Sequence, residues 1–434
     1  RVVDAGGAGG DRALVATANR ILRTDLLQTD AFLGYVENGR SLAGQPFSLR
    51  AFDLRTGKPA WSQPLQKLVK YITYDPRTDR LYVPNRYGRT WTDQGWGWPD
   101  LSKEQTRKKS GRPNGIFRAF DATTGKRLWE VSQRHYDGPF TVAGKKLLNR
   151  YGTAFDPETG HQATRISPLT GQPETYGLKK SGCAVLGACE TMVAWRTAYH
   201  DLSTATSTQL PGFEAGCTTS LLPAGGLLNL PNYGLFHLRA RAAALAMAPR
   251  TGGSEHWPAY QHTKLQQETP IQRIGFNFGA PGDRYDKAGT LWVRAFRGGD
   301  FKIGVEPAQS TYYRQVNRED WIAQSGVEGA TKITLPTAIN QRDKRAAAHF
   351  DIRLHFAPNS SLHAGSPPSQ DQPRIFDIRL EGEPAIEDFD LAKAGGNPAV
   401  VTVENLRVTG PLDIELTAKA GKTLLCGVEL VRRN

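Results

Sequence analysis

Apolar and polar residues alternate over many short stretches of this 434-residue chain, a period of two that is typical of β-strands. One pattern recurs: alternating apolar residues, Ala-Phe-Asp, two variable residues and Thr-Gly. It occurs at residues 51–61 and 119–129 and, in a weaker form, at residues 154–161. The glycine supplies the positive φ that a tight turn needs, and Trp61 and Trp129 follow it in the first two copies. Each copy therefore predicts a β-hairpin.

Repeated hairpins are typical of folds in which one unit cannot bury its own apolar face and packs on the next unit. The first two copies begin 68 residues apart and the next two 35 residues apart, whereas propeller blades recur at roughly 40–50 residues. We assign the extra length of the first interval to an inserted loop over residues 86–114. The 45 glycines and 27 prolines make turns frequent and long helices scarce. The sequence therefore predicts an all-β fold that begins with a partial or small β-propeller over residues 1–250.

The first two copies resemble the PQQ-like (quinoprotein-type) β-propeller repeat, through Ala-Phe-Asp-x-x-Thr-Gly-Lys and the tryptophan that follows. In that family the motif builds the blade and the cofactor ligands lie elsewhere, so the resemblance implies a fold and not a reaction. Quinoprotein dehydrogenases of the family have eight blades, calcium-ligating acids and often an adjacent cysteine pair. This chain has no adjacent cysteines. A quinoprotein oxidoreductase is therefore a distant alternative, and no cofactor is predicted.

The remainder of the chain has a different pattern. Residues 251–270 are polar and contain glycine and proline, which is typical of a linker. Beyond them, strict alternation of apolar and polar residues at 350–356, 376–382 and 412–416 predicts strands with one buried face. Turn residues separate these strands. We therefore predict a jelly-roll or β-sandwich domain over residues 271–434.

The same stretches resemble malectin and malectin-like carbohydrate-binding domains. The resemblance rests on an Asn-x-Gly strand at residues 274–279, on Leu-His-Phe at 354–356, and on Phe-Asp pairs that begin strands at Phe376 and Phe389. In malectin an aromatic pair in the loop after the Leu-His-Phe strand contacts the sugar. Here residues 357–361 contain no aromatic ring. The resemblance therefore implies the sandwich, without support for sugar binding at that loop.

Saccharide sites need flat aromatic faces together with polar groups placed for sugar hydroxyls. In the predicted sandwich we expect ligand contacts from four aromatic residues: Tyr285, Trp292, Tyr312 and Tyr313. The alternative for each ring is packing in the core or at a sheet edge. Tyr312 and Tyr313 are adjacent, so in a strand they point to opposite faces and at most one lines a given cleft.

A second set of candidate residues lies in the predicted propeller. A polysaccharide lyase uses a histidine or tyrosine base and an arginine that neutralises the substrate carboxylate. Two His-Tyr pairs lie beside arginines in the sequence: Arg134, His135 and Tyr136, then Arg196, Tyr199 and His200. The alternative is that these are loop residues bonded to the backbone. No spacing typical of a metal site occurs, so no metal is predicted.

The formal net charge of +13 favours acidic partners such as polysaccharides, although a solvated basic surface explains the same charge. Nucleic acid is not favoured, because no nucleic-acid-binding motif occurs. No apolar run approaches the roughly 20 residues of a membrane-spanning helix. The chain begins with Arg1, so we expect that an upstream segment was removed or left out.

Four cysteines match no metal or haem spacing. Cys183, Cys189 and Cys217 lie close together in sequence, and one disulfide among them is expected if the protein is exported. Cys426 lies in an apolar run and is predicted to be a buried free thiol.

These observations give two main hypotheses. The first is a secreted, periplasmic or cell-surface protein that binds or scaffolds, with a propeller and a malectin-like module that contacts carbohydrate, such as an acidic polysaccharide, or another protein. The alternative is a lyase-type enzyme on acidic glycans that uses the His, Tyr and Arg residues named above. The sequence leaves open whether the protein is an enzyme.

Overall fold

The structure is a computed structural model of the chain. It describes the following residues: 14–16, 20–25, 47–53, 59–65, 72–75, 77–85, 90–92, 95–97, 115–133, 140–149, 151–178, 186–210, 221–230, 245–248, 257–260, 268–295, 301–314, 320–341, 347–357, 373–395 and 398–433.

The chain divides into two compact units. The first unit comprises Arg1–Ala163, Thr175–Ala205 and Gln209–Thr251. The second comprises Gly252–Asn434 together with two short internal segments, Thr164–Glu174 and Thr206–Thr208. The predicted boundaries at residues 250 and 270 stay a prediction.

The described residues are almost entirely in β-strands. The strands up to residue 247 are β1 (Leu14–Ala16), β2 (Arg20–Asp25), β3 (Phe47–Asp53), β4 (Pro59–Leu65), β5 (Thr73–Asp75), β6 (Arg80–Asn85), β7 (Thr90–Thr92), β8 (Gly95–Gly97), β9 (Gly115–Asp121), β10 (Arg127–Gln133), β11 (Thr141–Ala143), β12 (Lys146–Leu148), β13 (Ala154–Phe155), β14 (Thr164–Ile166), β15 (Pro173–Thr175), β16 (Gly187–Ala188), β17 (Met192–Ala194), β18 (Ala198–Asp201), β19 (Thr206–Gln209), β20 (Leu222–Ala224), β21 (Leu227–Leu230) and β22 (Leu245–Met247).

The later strands belong to the second unit, with one 3-10 helix, Ile322–Gln324. They are β23 (Ala259–Tyr260), β24 (Thr269–Pro270), β25 (Arg273–Phe278), β26 (Arg284–Tyr285), β27 (Leu291–Ala295), β28 (Gly304–Glu306), β29 (Thr311–Arg314), β30 (Ser325–Glu328), β31 (Lys332–Leu335), β32 (Ala338–Ile339), β33 (Ala348–Phe356), β34 (Ile375–Leu380), β35 (Glu383–Asp390), β36 (Ala399–Val408), β37 (Leu412–Ala420), β38 (Leu424–Leu425) and β39 (Gly427–Arg432).

The first unit is a series of small antiparallel sheets made of sequential strands. Four strands, β1 to β4, form one sheet, and β5, β6, β9 and β10 form the next. The hairpin β7–β8 lies between β6 and β9, inside the predicted insertion. Further sheets contain β11 to β13, β16 to β18 and β20 to β22. This succession of meanders is the blade pattern that the repeat predicts.

Successive sheets of the first unit share apolar clusters. Leu49 of β3 packs in one cluster with Leu81 of β6. Tyr82, the next residue in β6, belongs to another cluster with Leu147 and Phe155 of the following sheet. Because side chains alternate along a strand, the sheet of β5, β6, β9 and β10 is buried on both faces. Sheets buried on both faces by their neighbours are typical of propeller blades.

The repeated motif folds as predicted. In the second copy, Asp121 Oδ1 accepts hydrogen bonds from the Thr124 backbone N–H (2.7 Å) and from Thr124 Oγ1 (2.8 Å). Gly125 follows with a φ of +75°. In the third copy the Asp156 carboxylate again receives the N–H of Thr159, at 3.1 Å. The aspartate and threonine thus satisfy the turn backbone, and the glycine adopts the left-handed conformation.

The second unit is a β-sandwich. A six-stranded sheet has the order β26-β27-β25-β39-β33-β36, and a five-stranded sheet has the order β28-β31-β37-β34-β35. The ring of Phe356 in the first sheet lies 4.8 Å from that of Phe389 and 6.1 Å from that of Phe376 in the second. Neighbouring strands such as β25 and β39 are far apart in sequence, as in jelly-roll folds. The predicted all-β fold class, propeller-type meanders followed by a sandwich, is confirmed.

Two other expectations concern single features of the chain. Cys426 is a buried thiol, as predicted, and neither Cys426 nor Cys189 forms a disulfide among the described residues. Cys183 and Cys217 lie outside the described residues, so a disulfide between them stays a prediction. Among the residues that the structure describes, no helix is long and apolar enough to cross a membrane.

Candidate functional site

The six-stranded sheet has an inner face in the sandwich core and an outer face on the opposite side. Alternation along β33 assigns residues to these faces. Phe350, Ile352, Leu354 and Phe356 are buried on the inner side. Arg353 and His355, between them, point to the outer face.

The pairing of residues between neighbouring strands shows which other residues lie on the outer face. Arg353 pairs with Glu429, which pairs with Gly275, and Gly275 pairs with Trp292. Trp292 in turn pairs with Arg284. Paired residues project from the same side of a sheet, so these five residues from five adjacent strands form one row on the outer face.

Trp292 lies flat against the sheet in this row. A Cβ atom on Gly275 would collide with its ring, and one on Gly427 would lie 2.8 Å from Trp292 Cζ3. The two glycines therefore make room for the indole, which is only 1% exposed. Its Nε1 donates a hydrogen bond to Asp286 Oδ2 at 3.0 Å. The predicted ligand role of Trp292 stays a prediction; the structure places its ring beneath more exposed side chains.

Trp321 packs on Trp292, and Trp257 packs on Trp321. The Trp321 ring packs edge-to-face on Trp292, with centroids 6.0 Å apart, and on Trp257, with centroids 5.7 Å apart. Trp257 and Trp321 are both half-buried, so part of each ring is accessible. Trp321 immediately precedes the 3-10 helix, whose first residue, Ile322, donates its N–H to Asp320 Oδ1 at 3.0 Å. This hydrogen bond spans Trp321 and helps to fix its backbone.

Arg284 lies against both of these half-buried rings. Its guanidinium carbon is 5.1 Å from the Trp321 centroid and 5.7 Å from the Trp257 centroid, within cation–π range. Within the described part of the chain no carboxylate forms an ion pair with Arg284. We refer to Trp257, Arg284 and Trp321 together as the Trp-Arg site.

The segment that carries Trp257 is fastened to the sheet. Pro258 O accepts the N–H of Asp283 at 2.7 Å, and Asp283 Oδ2 accepts the N–H of Tyr260 at 2.8 Å. A Cβ atom on Gly282 would lie 2.6 Å from Trp257 O, so the backbones are in close contact there. The ring of Trp257 is therefore presented by a fixed backbone.

A charged cluster occupies the other end of the same row. Glu429, which is 3% exposed, accepts hydrogen bonds from Arg273 Nη2 (2.9 Å), Arg353 Nη1 (2.9 Å) and Thr290 Oγ1 (2.6 Å). The Arg353 and Arg273 side chains are 44% and 33% exposed. Two guanidinium groups share one carboxylate, so the cluster keeps a positive charge at the surface.

Tyr285, a predicted ligand contact, belongs to a buried polar network. Its ring packs edge-to-face on Tyr260, with centroids 6.3 Å apart. The Tyr260 hydroxyl donates to Glu174 at 3.1 Å, and Arg165 Nε donates to the same oxygen at 2.6 Å. Burial raises the pKa of Tyr285 to about 12 and also raises the pKa of Tyr260. Both phenols are therefore neutral hydrogen-bonding groups.

Tyr312 and Tyr313 lie in β29, opposite β30. Tyr312 is 40% exposed, and partial burial raises the pKa of its hydroxyl. The side chain of Tyr313 lies outside the described part of the structure. Their role as ligand contacts stays a prediction.

The candidate residues in the first unit are only partly described. Arg134, His135 and Tyr136 lie outside the described residues. Tyr199 and His200 are consecutive in β18, so their side chains point to opposite faces. His200 is fully buried, and Tyr199 packs on the cluster around Ala194. Their proposed role in lyase chemistry stays a prediction.

Four residues of this face were not among the residues predicted from the sequence: Trp257, Arg284, Trp321 and Glu429. Trp257 lies in the predicted linker, and Arg284 and Glu429 meet Trp292 only through strand register. Three of the nine tryptophans lie in this part of the chain, at positions 257, 292 and 321, but their spacing in sequence gave no sign that their rings meet. Among the described residues, no group of three or more His, Cys, Asp or Glu side chains is placed to hold a metal ion.

Comparisons with known proteins give weak likenesses. No protein-family model matches the chain, and no curated protein matches it. A β-glucuronidase from Bacteroides uniformis matches at 14% identity and a TM-score of 0.28, over 37% of this chain and 18% of that one. The ANXUR2 extracellular domain from Arabidopsis thaliana also matches at 14% identity and a TM-score of 0.28, over 37% of this chain and 41% of that one.

A longer match is BamB from Moraxella catarrhalis, at 13% identity and a TM-score of 0.31, over 77% of this chain and 87% of that one. This chain spans less than half the length of the β-glucuronidase and of the ANXUR2 domain. All three TM-scores are low, so none of these likenesses bears on what the chain binds or does.

Proposed function

We propose that the protein is a binding protein and that its second unit contacts a glycan at the Trp-Arg site. One observation carries the proposal: two half-buried tryptophan rings flank a guanidinium on one face of a sheet. Aromatic faces pack against the C–H side of a pyranose ring, and a guanidinium donates hydrogen bonds to its oxygens. The buried Trp292 packs against Trp321 and is paired with Arg284 on the neighbouring strand, which supports a preformed site.

This proposal is consistent with the first hypothesis from the sequence, in which a propeller accompanies a carbohydrate-contacting sandwich. A glycan ligand also favours a secreted, periplasmic or cell-surface location, which we include in the proposal. The lyase alternative has no observation in its favour among the described residues, because His200 is fully buried. A protein partner is the other ligand class that tryptophan and arginine serve, and the experiment separates the two.

The experiment is a calorimetric titration of the full chain with a panel of neutral and acidic oligosaccharides. We expect Trp321→Ala to weaken binding of the best ligand about tenfold, since one aromatic contact contributes roughly 0.5–1.5 kcal/mol. The matched control is Tyr151→Ala, which removes a 40%-exposed aromatic ring from the first unit and leaves binding unchanged. Absence of binding to every glycan, or equal binding by Trp321→Ala and the native chain, contradicts the proposal.

A further inference from the structure

Three arginines lie on the outer face of the six-stranded sheet. Arg284 belongs to the Trp-Arg site at one side, and Arg273 and Arg353 flank Glu429 at the other. Arg353 and Arg284 lie in the same row of paired residues. The face thus presents two cationic positions with a tryptophan surface beside one of them.

The guanidinium groups near Glu429 keep free donors. Arg273 uses Nε and Nη2 on the Glu429 carboxylate, and Arg353 uses Nη1. Arg273 Nη1 and Arg353 Nη2 make no hydrogen bond within the described part of the chain. Glu429 itself is buried, so an incoming ligand meets the guanidinium groups rather than the carboxylate.

The two cationic positions are well separated. Arg284 is in β26 and Arg353 is in β33, four strand spacings away across the sheet. At about 4.8 Å between neighbouring strands, their backbones are roughly 19 Å apart. A ligand that reaches both positions must be an oligomer that lies across the strands.

From this geometry we infer that the outer face binds an acidic oligosaccharide, with one sugar ring on Trp257 and Trp321 and its anionic groups on Arg284 and on the Arg273–Arg353 pair. The inference rests on the proposed function and names its ligand class. The anionic group is a carboxylate or a sulfate, since both accept two hydrogen bonds from one guanidinium.

Charge favours an acidic ligand over a neutral one. Arg284 has no carboxylate partner in the described part of the chain, and its guanidinium is partly shielded from water by two rings. An anionic sugar supplies the charge-assisted hydrogen bonds that such a group lacks, whereas hydroxyl groups supply weaker ones. The net charge of +13 adds a long-range attraction for polyanions.

The test compares four ligands on the full chain by calorimetry: a uronate tetrasaccharide, the same tetrasaccharide with its carboxyl groups reduced to alcohols, a sulfated tetrasaccharide, and single-stranded DNA of similar length. We expect the uronate or the sulfated compound to bind at least about tenfold more tightly than the reduced one. The stronger of the two identifies the anionic group. DNA binding as tight as that of the best sugar overturns the inference.

Substitutions test whether the arginines cause the preference for an acidic ligand. Arg284→Gln is expected to weaken acidic binding about tenfold and to change neutral binding less than about twofold. The matched control is Arg379→Gln, which removes one exposed arginine from the other sheet and leaves affinity unchanged. Equal effects of Arg284→Gln on the acidic and the reduced sugar overturn the inference.

Ligand length tests the path across the sheet. Arg353→Lys keeps the positive charge and a donor for Glu429, so we expect it to preserve the fold. It loses the planar guanidinium that can donate two hydrogen bonds to one anionic group of the ligand. We expect it to weaken the tetrasaccharide several-fold and to leave a disaccharide unaffected. If acidic and neutral sugars bind with equal affinity and Trp321→Ala still weakens sugar binding, the acidic ligand is rejected and the proposed function is retained. No sugar binding at all rejects both.

Discussion

The indole of Trp61 lies directly against Gly125, the turn glycine of the next copy of the repeat. A Cβ atom on Gly125 would be 2.5 Å from Trp61 Cδ2, and Trp61 Nε1 donates to Ala122 O at 3.1 Å. The relationship repeats: Trp129 Cζ3 would be 2.5 Å from a Cβ on Gly160. The tryptophan of one motif thus packs on the glycine of the next, which explains why both residues belong to the motif.

This contact predicts that Gly125→Ala lowers the free energy of unfolding by about 2–4 kcal/mol, because alanine both strains a positive φ and displaces the Trp61 ring. The control is Gly226→Ala, where φ is +73° and no atom lies within 4 Å of the added Cβ. Denaturant unfolding of the full chain measures both variants. Equal losses at the two positions would show that the tryptophan contact contributes nothing.

A second prediction concerns the support of the Trp-Arg site. Gly275→Ala places a methyl group where the Trp292 ring lies, so Trp292 must move. Trp321 then loses the ring against which it packs. We expect weaker glycan binding together with a lower unfolding midpoint. Gly395→Ala is the control, since a Cβ at that position meets no atom within 4 Å. Unchanged affinity in Gly275→Ala would contradict the supporting role of Trp292.

A third prediction concerns the hairpin β14–β15, of which Thr164–Glu174 belong to the second unit although the chain on both sides belongs to the first. Its Arg165–Glu174 pair is mostly buried, with side chains 13% and 4% exposed. Arg165→Met leaves a buried carboxylate without its ion-pair partner and should destabilise the fold by about 3 kcal/mol. Lys393→Met removes a pair in which the lysine is 85% exposed, and no resolvable change is expected. Comparable stability of the two variants in urea would refute this.

A fourth prediction concerns pH. Burial lowers the pKa of His355 to about 4 from an ordinary value of 6.5, so the folded state favours the neutral ring. The unfolded chain therefore takes up a proton first as the pH falls, and unfolding becomes easier between pH 6.5 and about 4. The stability lost over that range is at most about 3 kcal/mol.

The test of this prediction is the pH profile of the unfolding free energy. His355→Gln should have a flatter profile than the native chain between pH 6.5 and about 4. Parallel profiles for His355→Gln and the native chain would show that another group causes the loss.

Local features of the sequence were sufficient to predict the hairpins and the sandwich strands. The turn at Asp121 and Gly125 depends only on neighbouring residues, and so does the alternation along β33. The site could not be predicted in this way. Gly275 and Glu429 are paired although most of the second unit lies between them in sequence. Register between distant strands is set by tertiary packing, so the row from Arg284 to Arg353 has no local signature.

Trp257 was missed for a related reason. The polar residues around it indicate a linker, whereas its backbone is held by Asp283 and Gly282, which lie in the next part of the chain. Trp292 was singled out as an aromatic ring, but the two glycines that bury it come from β25 and β39. Only the folded arrangement shows which tryptophans remain accessible.

The most direct test of glycan binding at the Trp-Arg site is a titration of the full chain with an acidic tetrasaccharide, monitored through the indole N–H resonances of its nine tryptophans. Single Trp→Phe variants assign the signals. We predict that the resonances of Trp257 and Trp321 shift on binding and that Trp195, fully buried in the first unit, does not. Binding that leaves both Trp257 and Trp321 unchanged would contradict the account.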